Sequence, residues 1–196
     1  MQEKNLSEQI IKNAVVFPFG ALQGIYNENG DRISGQTQNY KANFKGKIQF
    51  IDEKVVFLGF FRAHHGHFIT EELARLWWVL QNGIKSHKFA FVRYKRASLG
   101  AFERFVFSLF GLDESNLIAI TKPTKFKELI LPARSFSYTQ NPLYTKGHRE
   151  VIDFIIKQVK PIQNDKIYLS RQKYTKALIY EWGDKYVDEF FQKKRL

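Results

Sequence analysis

Apolar positions along the chain switch between strand-like runs and a helical period, and these switches mark out the elements. Residues 14–19, AVVFPF, predict a short buried strand interrupted by Pro18. In GALQGIYNENGDRI the apolar pair Ile25-Tyr26 and Ile33 flank Asn29-Gly30-Asp31, whose turn chemistry predicts a hairpin. The polar run SGQTQNYKANFKGK reads as a loop. KIQFIDEKVVFLGFF then predicts two strands about Asp52-Glu53, the second running straight into a histidine-rich turn. Beyond the turn, Ile69, Leu73, Leu76, Trp77 and Leu80 fall on one face of a helix, with Glu72, Arg75 and Val79 elsewhere on the cylinder. Thr70 is the expected N-cap of that helix and Gly83 its C′ residue.

Further along, KFAFV at 88–92 predicts a strand. Ser98 is expected to cap a helix with the stripe Leu99, Phe102, Phe105, Val106 and Leu109, ended by Gly111. Strands are expected at 116–120 and 126–131, a surface loop at 132–144, and a helix over 147–160 that stops at Pro161. KIYLSR at 166–171 reads as one more strand, and Asp184 as the cap of a last helix with Tyr186, Val187, Phe190 and Phe191 on its apolar face. Strands alternating with helices predict an α/β fold with parallel strands.

At 196 residues the chain is long enough for one well-filled core. Without cysteine there is neither a disulfide framework nor a thiolate metal site. The apolar runs fall short of a bilayer span, and residues 1–13 are polar, without the apolar core of a secretory signal, so a soluble cytoplasmic protein is expected. The net charge of +12 favours an anionic partner without choosing among nucleic acid, an acidic membrane face and a phosphorylated small molecule. The densest basic cluster is Lys85, Lys88, Arg93, Lys95, Arg96 and Arg104.

The stretch 59–80 concentrates the candidate chemistry. His64, His65 and His67 surround Gly66 at the helix entrance, with Glu71 and Glu72 where the positive end of the helix dipole favours carboxylates. His67 and Glu71 are four residues apart and share a face only if the helix already begins near His67. The plainer alternative makes Gly66 a turn, His67 a helix cap and the aromatic residues core.

The string His64-His65-Gly66-His67-Phe68-Ile69-Thr70-Glu71, continuing to Leu73, Arg75, Leu76 and Trp77, resembles the HxGHFxxE…L.RLW signature of glycosyltransferase family 61, in its bacterial capsular-polysaccharide and lipopolysaccharide branch. Gly24-Ile25-Tyr26 through Gly30 is loosely similar to the family's GxYxxxG hairpin, and 166–171 to the KIYISR string that opens its nucleotide-binding half. The resemblance implies a Rossmann-like N-terminal domain of a GT-B-like enzyme, with a hairpin-rich N-terminal segment. Residues 1–162 would form the acceptor-side domain and 163–196 the start of a truncated nucleotide-sugar-binding domain. It implies that an acceptor hydroxyl attacks the anomeric carbon of a nucleotide-sugar, with His67 as base or acceptor-positioning group, Glu71 orienting it and His64 lining the cleft. Arg171, Ser170 and Lys173 would face the diphosphate, with Lys173 and Lys176 standing where the family often has arginines. No cofactor and no obligatory metal are implied. The expected partners are a nucleotide-sugar, a polysaccharide or lipid-linked acceptor and an anionic membrane surface, with no nucleic acid and a location at the inner face of the membrane.

The later HGAxLTN-type motif of the family is absent. Gln192–Leu196 is what one extra adenine would produce from a family-like Gln-Lys-Asn-Gly-Tyr-Lys, so a truncated chain completed by a second polypeptide is expected; the plainer alternative is a genuinely short protein whose end matches that string by coincidence. Two other classes compete. Gly59, His65, His67 and Glu71 fit the first part of a cupin metal motif, although that motif wants glycine at Trp78 and strand periodicity after Glu71. Lys88 to Tyr94 imitates the aromatic strand of an RNA-recognition motif, although Lys88 replaces its glycine.

Overall fold

Val55 to Leu58 are apolar at both strand parities and wholly buried, as a central strand covered on both faces requires. The computed structural model describes residues 5–18, 20–34, 41–42, 46–62, 64–94, 98–138 and 143–160. The chain divides into two compact units, Met1–Val159 and Lys160–Leu196, and all but Lys160 of the second lies outside the described residues. The expected strand at 166–171 and the helix after Asp184 fall there.

In chain order the first unit has β1 (Glu8–Lys12), β2 (Val15–Phe17), β3 (Gly24–Tyr26), β4 (Arg32–Ser34) and β5 (Gln49–Phe61). There follow α1 (His65–Thr70), a 3-10 turn (Glu72–Arg75), α2 (Leu76–Asn82), β6 (Lys88–Arg93), α3 (Ala101–Leu109), β7 (Leu117–Ala119) and β8 (Thr124–Pro132). A small hairpin of β9 (Phe136–Ser137) and β10 (Leu143–Tyr144) leads into α4 (Lys146–Gln158). The main sheet has the order β4-β3-β2-β8-β5-β6-β7, with β1 also paired to β8. Strands β8, β5, β6 and β7 run parallel, while β1 to β4 add antiparallel pairing on one side. The fold class is therefore mixed α/β, with the parallel strands forming one half of the sheet out to its β7 edge and the antiparallel strands the other.

Helices α1 to α4 contribute to one core cluster, with Phe68, Leu76, Phe107 and Val151 packed on Val56, Phe89, Phe91 and Ile130. A second cluster holds Val55, Phe57, Ala90, Val92 and Leu129. The alternation of β5 between the two clusters shifts at one point. Against β6, Phe57 pairs with Ala90 and Gly59 with Phe91, so Leu58 is an extra residue. That bulge brings Phe61 back to the helix side, stacked on Phe91 at 5.4 Å. Gly59 sits there at φ +147, and a Cβ on it would come within 3.2 Å of the Phe61 ring and 3.6 Å of Arg75 Nη1.

Several expectations need correction. Glu8–Lys12 forms a strand inside the segment read only as polar, because its side chains are mostly exposed and it is held by backbone pairing to β8. Asp52-Glu53 does not divide two strands. It sits at a register shift of β5 against β8, with Asp52 paired to Lys127 at 3.0 Å. The helix after the histidines breaks into three pieces, because Glu72 to Val79 are all buried and no single stripe faces the core. Ile69, assigned to the stripe, is 45% exposed. Thr70 is not an N-cap: its hydroxyl donates to Gly66 O at 2.8 Å, and the N-cap position of α1 belongs to His64. Gly100 rather than Ser98 precedes α3, and Phe102 and Phe105 face outward while Glu103, Val106 and Phe107 are buried. The loop expected at 132–144 contains the β9–β10 hairpin and a fully buried Ser135.

The predicted β3–β4 hairpin forms, closed by Asn27 Oδ1, which accepts from the Asn29 and Asp31 amides at 3.0 and 2.9 Å. Gly30 stands there at φ +82, where a Cβ would lie 2.2 Å from Ala42 O. Gly30→Ala therefore meets both a backbone penalty and a steric one, and should cost roughly 1–3 kcal/mol, read as a lower urea midpoint without loss of the folded baseline.

Candidate active site

The strand β5 delivers the chain to the site, and a buried carboxylate turns it. Glu72 Oε1 accepts the Arg62 amide hydrogen, and His64 N donates to Arg62 O at 2.6 Å. Helix α1 then opens at His65, so the condition for His67 and Glu71 to share a face is met. His67 Nδ1 lies 2.7 Å from Glu71 Oε2, and the Glu71 amide continues the helical pattern by donating to His67 O at 2.8 Å. The other oxygen of Glu71 accepts from Arg134 Nη2 at 3.0 Å. Burial pushes the Glu71 carboxyl up, but the bonds from His67 and Arg134 outweigh it and hold the group below its ordinary 4.5. An ionised Glu71 takes a hydrogen from Nδ1, and this partner assigns the neutral tautomer with Nε2 as the acceptor. The Tyr138 hydroxyl stands 3.3 Å from the same Nδ1, and the His64 ring packs edge-on at 5.3 Å.

Arg134 is placed by its neighbours. Arg75 Nε donates to Pro132 O at 2.9 Å, Trp77 Nε1 to Ala133 O at 2.8 Å, and both the amide and the hydroxyl of Ser135 to Ala74 O at 2.8 Å. With its hydrogen committed to Ala74, the Ser135 hydroxyl accepts from His148 Nδ1 at 3.2 Å. His148 is buried, and desolvation brings it down to about 4, so it is neutral near pH 7 and structural. Arg134 and Tyr138 were missed in the sequence because they lie in an irregular, turn-rich segment with no periodicity to mark an inward position.

Two further charges lie beneath the site. Burial, opposed by the Arg62 amide and reinforced by Glu103, raises Glu72 to about 8, and its Oε2 has no hydrogen-bond partner among the described residues. Burial and the charge of Arg134 lower Arg75 to about 9, and its guanidinium lies 5.9 Å over the Phe57 ring.

His64, His67 and Glu71 are thus brought together, whereas Ser170, Arg171 and Lys173 lie outside the described residues. The expected basic cluster is partly dispersed. Arg93 forms a buried ion pair with Glu103 at 2.8 Å, Lys88 donates to Ser115 O at 2.6 Å, and Lys95 and Arg96 are outside the described residues. Among the described residues no group of three or more His, Cys, Asp or Glu could hold a metal ion. No helix among them is long and apolar enough to cross a membrane.

A carboxyl raised from 4.5 to about 8 binds more protons in the folded chain than in the unfolded one across that interval. Stability therefore falls as pH rises from about 4.5 to 8, by at most about 5 kcal/mol from this group. Glu72→Gln keeps an oxygen for the Arg62 amide and cannot ionise. Its melting temperature relative to wild type should climb between about pH 5 and pH 8 and level off above that, and a constant difference across the range would mean that Glu72 ionises freely.

No protein-family model, curated protein or solved structure matches this chain.

Proposed function

We propose that the chain is the acceptor-side part of a nucleotide-sugar-dependent glycosyltransferase similar to family 61, with a GT-B-like, Rossmann-like plan and a surface polysaccharide as acceptor. The observation that carries the reading beyond the motif is the chain Arg134–Glu71–His67, with contacts of 3.0 and 2.7 Å. An acceptor hydroxyl adds poorly to an anomeric carbon unless its proton is removed as the bond forms. Glu71, kept ionised by Arg134, holds the His67 ring in one tautomer and stabilises the imidazolium that forms. His67 Nε2 takes the hydroxyl proton, the acceptor oxygen bonds to the anomeric carbon, and the bond from that carbon to the nucleotide diphosphate breaks. Arg171, Ser170 and Lys173 are the groups proposed to neutralise the departing diphosphate, and Arg171 is suited to it by its planar pair of donors. His64 lines the same entrance, its ring against His67.

The competing readings have less support. A cupin site takes its ligands from adjacent strands, but His67 lies within α1 and Glu71 directly follows it. An RNA platform needs exposed rings on its strand, and Phe89 and Phe91 of β6 are buried.

With the chain joined to a family-like nucleotide-binding half, and with a panel of nucleotide-sugars and a surface-polysaccharide acceptor, transfer is read as acceptor-dependent release of nucleotide diphosphate. His67→Ala should lower kcat by roughly 10²-fold or more with little change in donor KM. Glu71→Gln should lower it by a smaller factor and shift the pH profile, because the ring loses its anionic partner. Transfer by His67→Ala at the wild-type rate would remove His67 from the mechanism, and no acceptor-dependent transfer from any donor would sink the reading.

A further inference from the structure

The side chain of Arg75 has more binding capacity than the fold uses. It is only 9% exposed, and its Nε is committed to Pro132 O. Among the described residues neither terminal nitrogen has a hydrogen-bond partner, and no carboxylate pairs with it. A buried guanidinium normally faces a carboxylate or another anion, because an unpaired charge away from water is costly. Among the described residues the charge meets only the Pro132 carbonyl and the face of the Phe57 ring, and its terminal nitrogens are not among the sealed, unsatisfied atoms, so the front of the guanidinium is open and no protein anion answers it. Arg75 forms part of the wall of a cleft of about 370 Å³, at the lower end of the range for small-molecule sites.

The cleft lies between the chain entering β1 and the end of β8. Asn5, Ser7 and Gln9 bring polar groups to it, while Leu131 and Leu143 supply apolar surface. Arg134 lines it as well, and this second guanidinium shares its charge with Glu71. Two cations against one carboxylate leave the cleft net positive. With Nε turned to Pro132, Arg75 keeps its two terminal nitrogens, the edge of the guanidinium that accepts two oxygens of one anion in parallel.

We propose that this cleft is a binding site for a small hydroxylated oxyanion, a phosphate monoester or a carboxylate, held by the terminal nitrogens of Arg75 and by Arg134, with its hydroxyls against Asn5, Ser7 and Gln9. The site does not depend on the transfer reaction, because it requires only an uncompensated cation lining a cleft. It can fail while His67 remains the base, and it can stand if the chain transfers no sugar.

The test is calorimetric titration and thermal shift of the full chain at low ionic strength with glucose 1-phosphate, glucuronate and neutral glucose. At least one charged probe should bind saturably and raise the melting temperature while glucose does neither, and the tighter of the two tells phosphate from carboxylate. Arg75→Gln should weaken that binding by about tenfold or more. Gln9→Trp, on an exposed position of β1, leaves the guanidinium in place but fills the cleft, and should weaken it as much. Lys127→Gln, at the exposed pair with Asp52, should leave it unchanged. If Arg75→Gln does not fold, Gln9→Trp decides. No saturable binding of either charged probe, undiminished binding in Gln9→Trp, or equal weakening in Lys127→Gln would each overturn the site.

Discussion

The end of β8 hangs on the side chains of one short stretch of broken helix, and the candidate site depends on that attachment. Arg75 and Trp77 each take a backbone carbonyl from Pro132 and Ala133, and Ser135 returns two hydrogen bonds to the carbonyl of Ala74. Groups buried this far from water are held chiefly by the cost of leaving them unpaired, so the segment has one low-energy path. That path carries Arg134 to Glu71, although the two are 63 residues apart in the chain. Beside Arg75, at the point where β5 inserts an extra residue against β6, Gly59 leaves the Phe61 ring its place, since a Cβ there would stand 3.2 Å from that ring.

Adjacent carboxylates have opposite fates in this arrangement. Glu71 stands at the end of α1 with two cationic or cation-forming neighbours, and it stays ionised. Glu72 opens the 3-10 turn, faces the core, accepts one backbone amide and is raised far above the carboxylate range. The change of helix type between them directs consecutive side chains to different environments. An unbroken α-helix would also separate them, but it would not bury everything from Glu72 to Val79 at once.

Most of the strands and helices were legible in the sequence, because alternation and turn residues are local properties. The hairpin at Asn29-Gly30-Asp31, the strand at 88–92, the helix ended by Gly83 and the helix before Pro161 are all of that kind. Elements held by pairing rather than by burial left no apolar pattern. β1 is mostly exposed, and β9 and β10 are two residues each. The helix period failed from Glu72 to Val79 because full burial abolishes a polar face, and it failed at Phe102 and Phe105 because apolar side chains can also face outward. In the candidate site, His67 and Glu71 were legible because their partnership is local to one turn of helix. Arg134, Tyr138 and the buried Arg75 were not, since contacts across 57 to 71 residues leave no mark in spacing.

His148 and Glu72 together give folding an unusual proton balance. Desolvation lowers the imidazole from 6.5 to about 4 and raises the carboxyl from 4.5 to about 8. From roughly pH 4.5 to 6.5 the folding chain gives up a proton at His148 while taking one up at Glu72. The two exchanges oppose each other, so these groups leave the folding equilibrium nearly insensitive to acidity in that interval. Above it the imidazole is neutral in both states and only the carboxyl still takes up a proton on folding. An acid kept protonated and a base kept neutral in one interior thus cancel each other's proton exchange on folding in a mildly acidic medium.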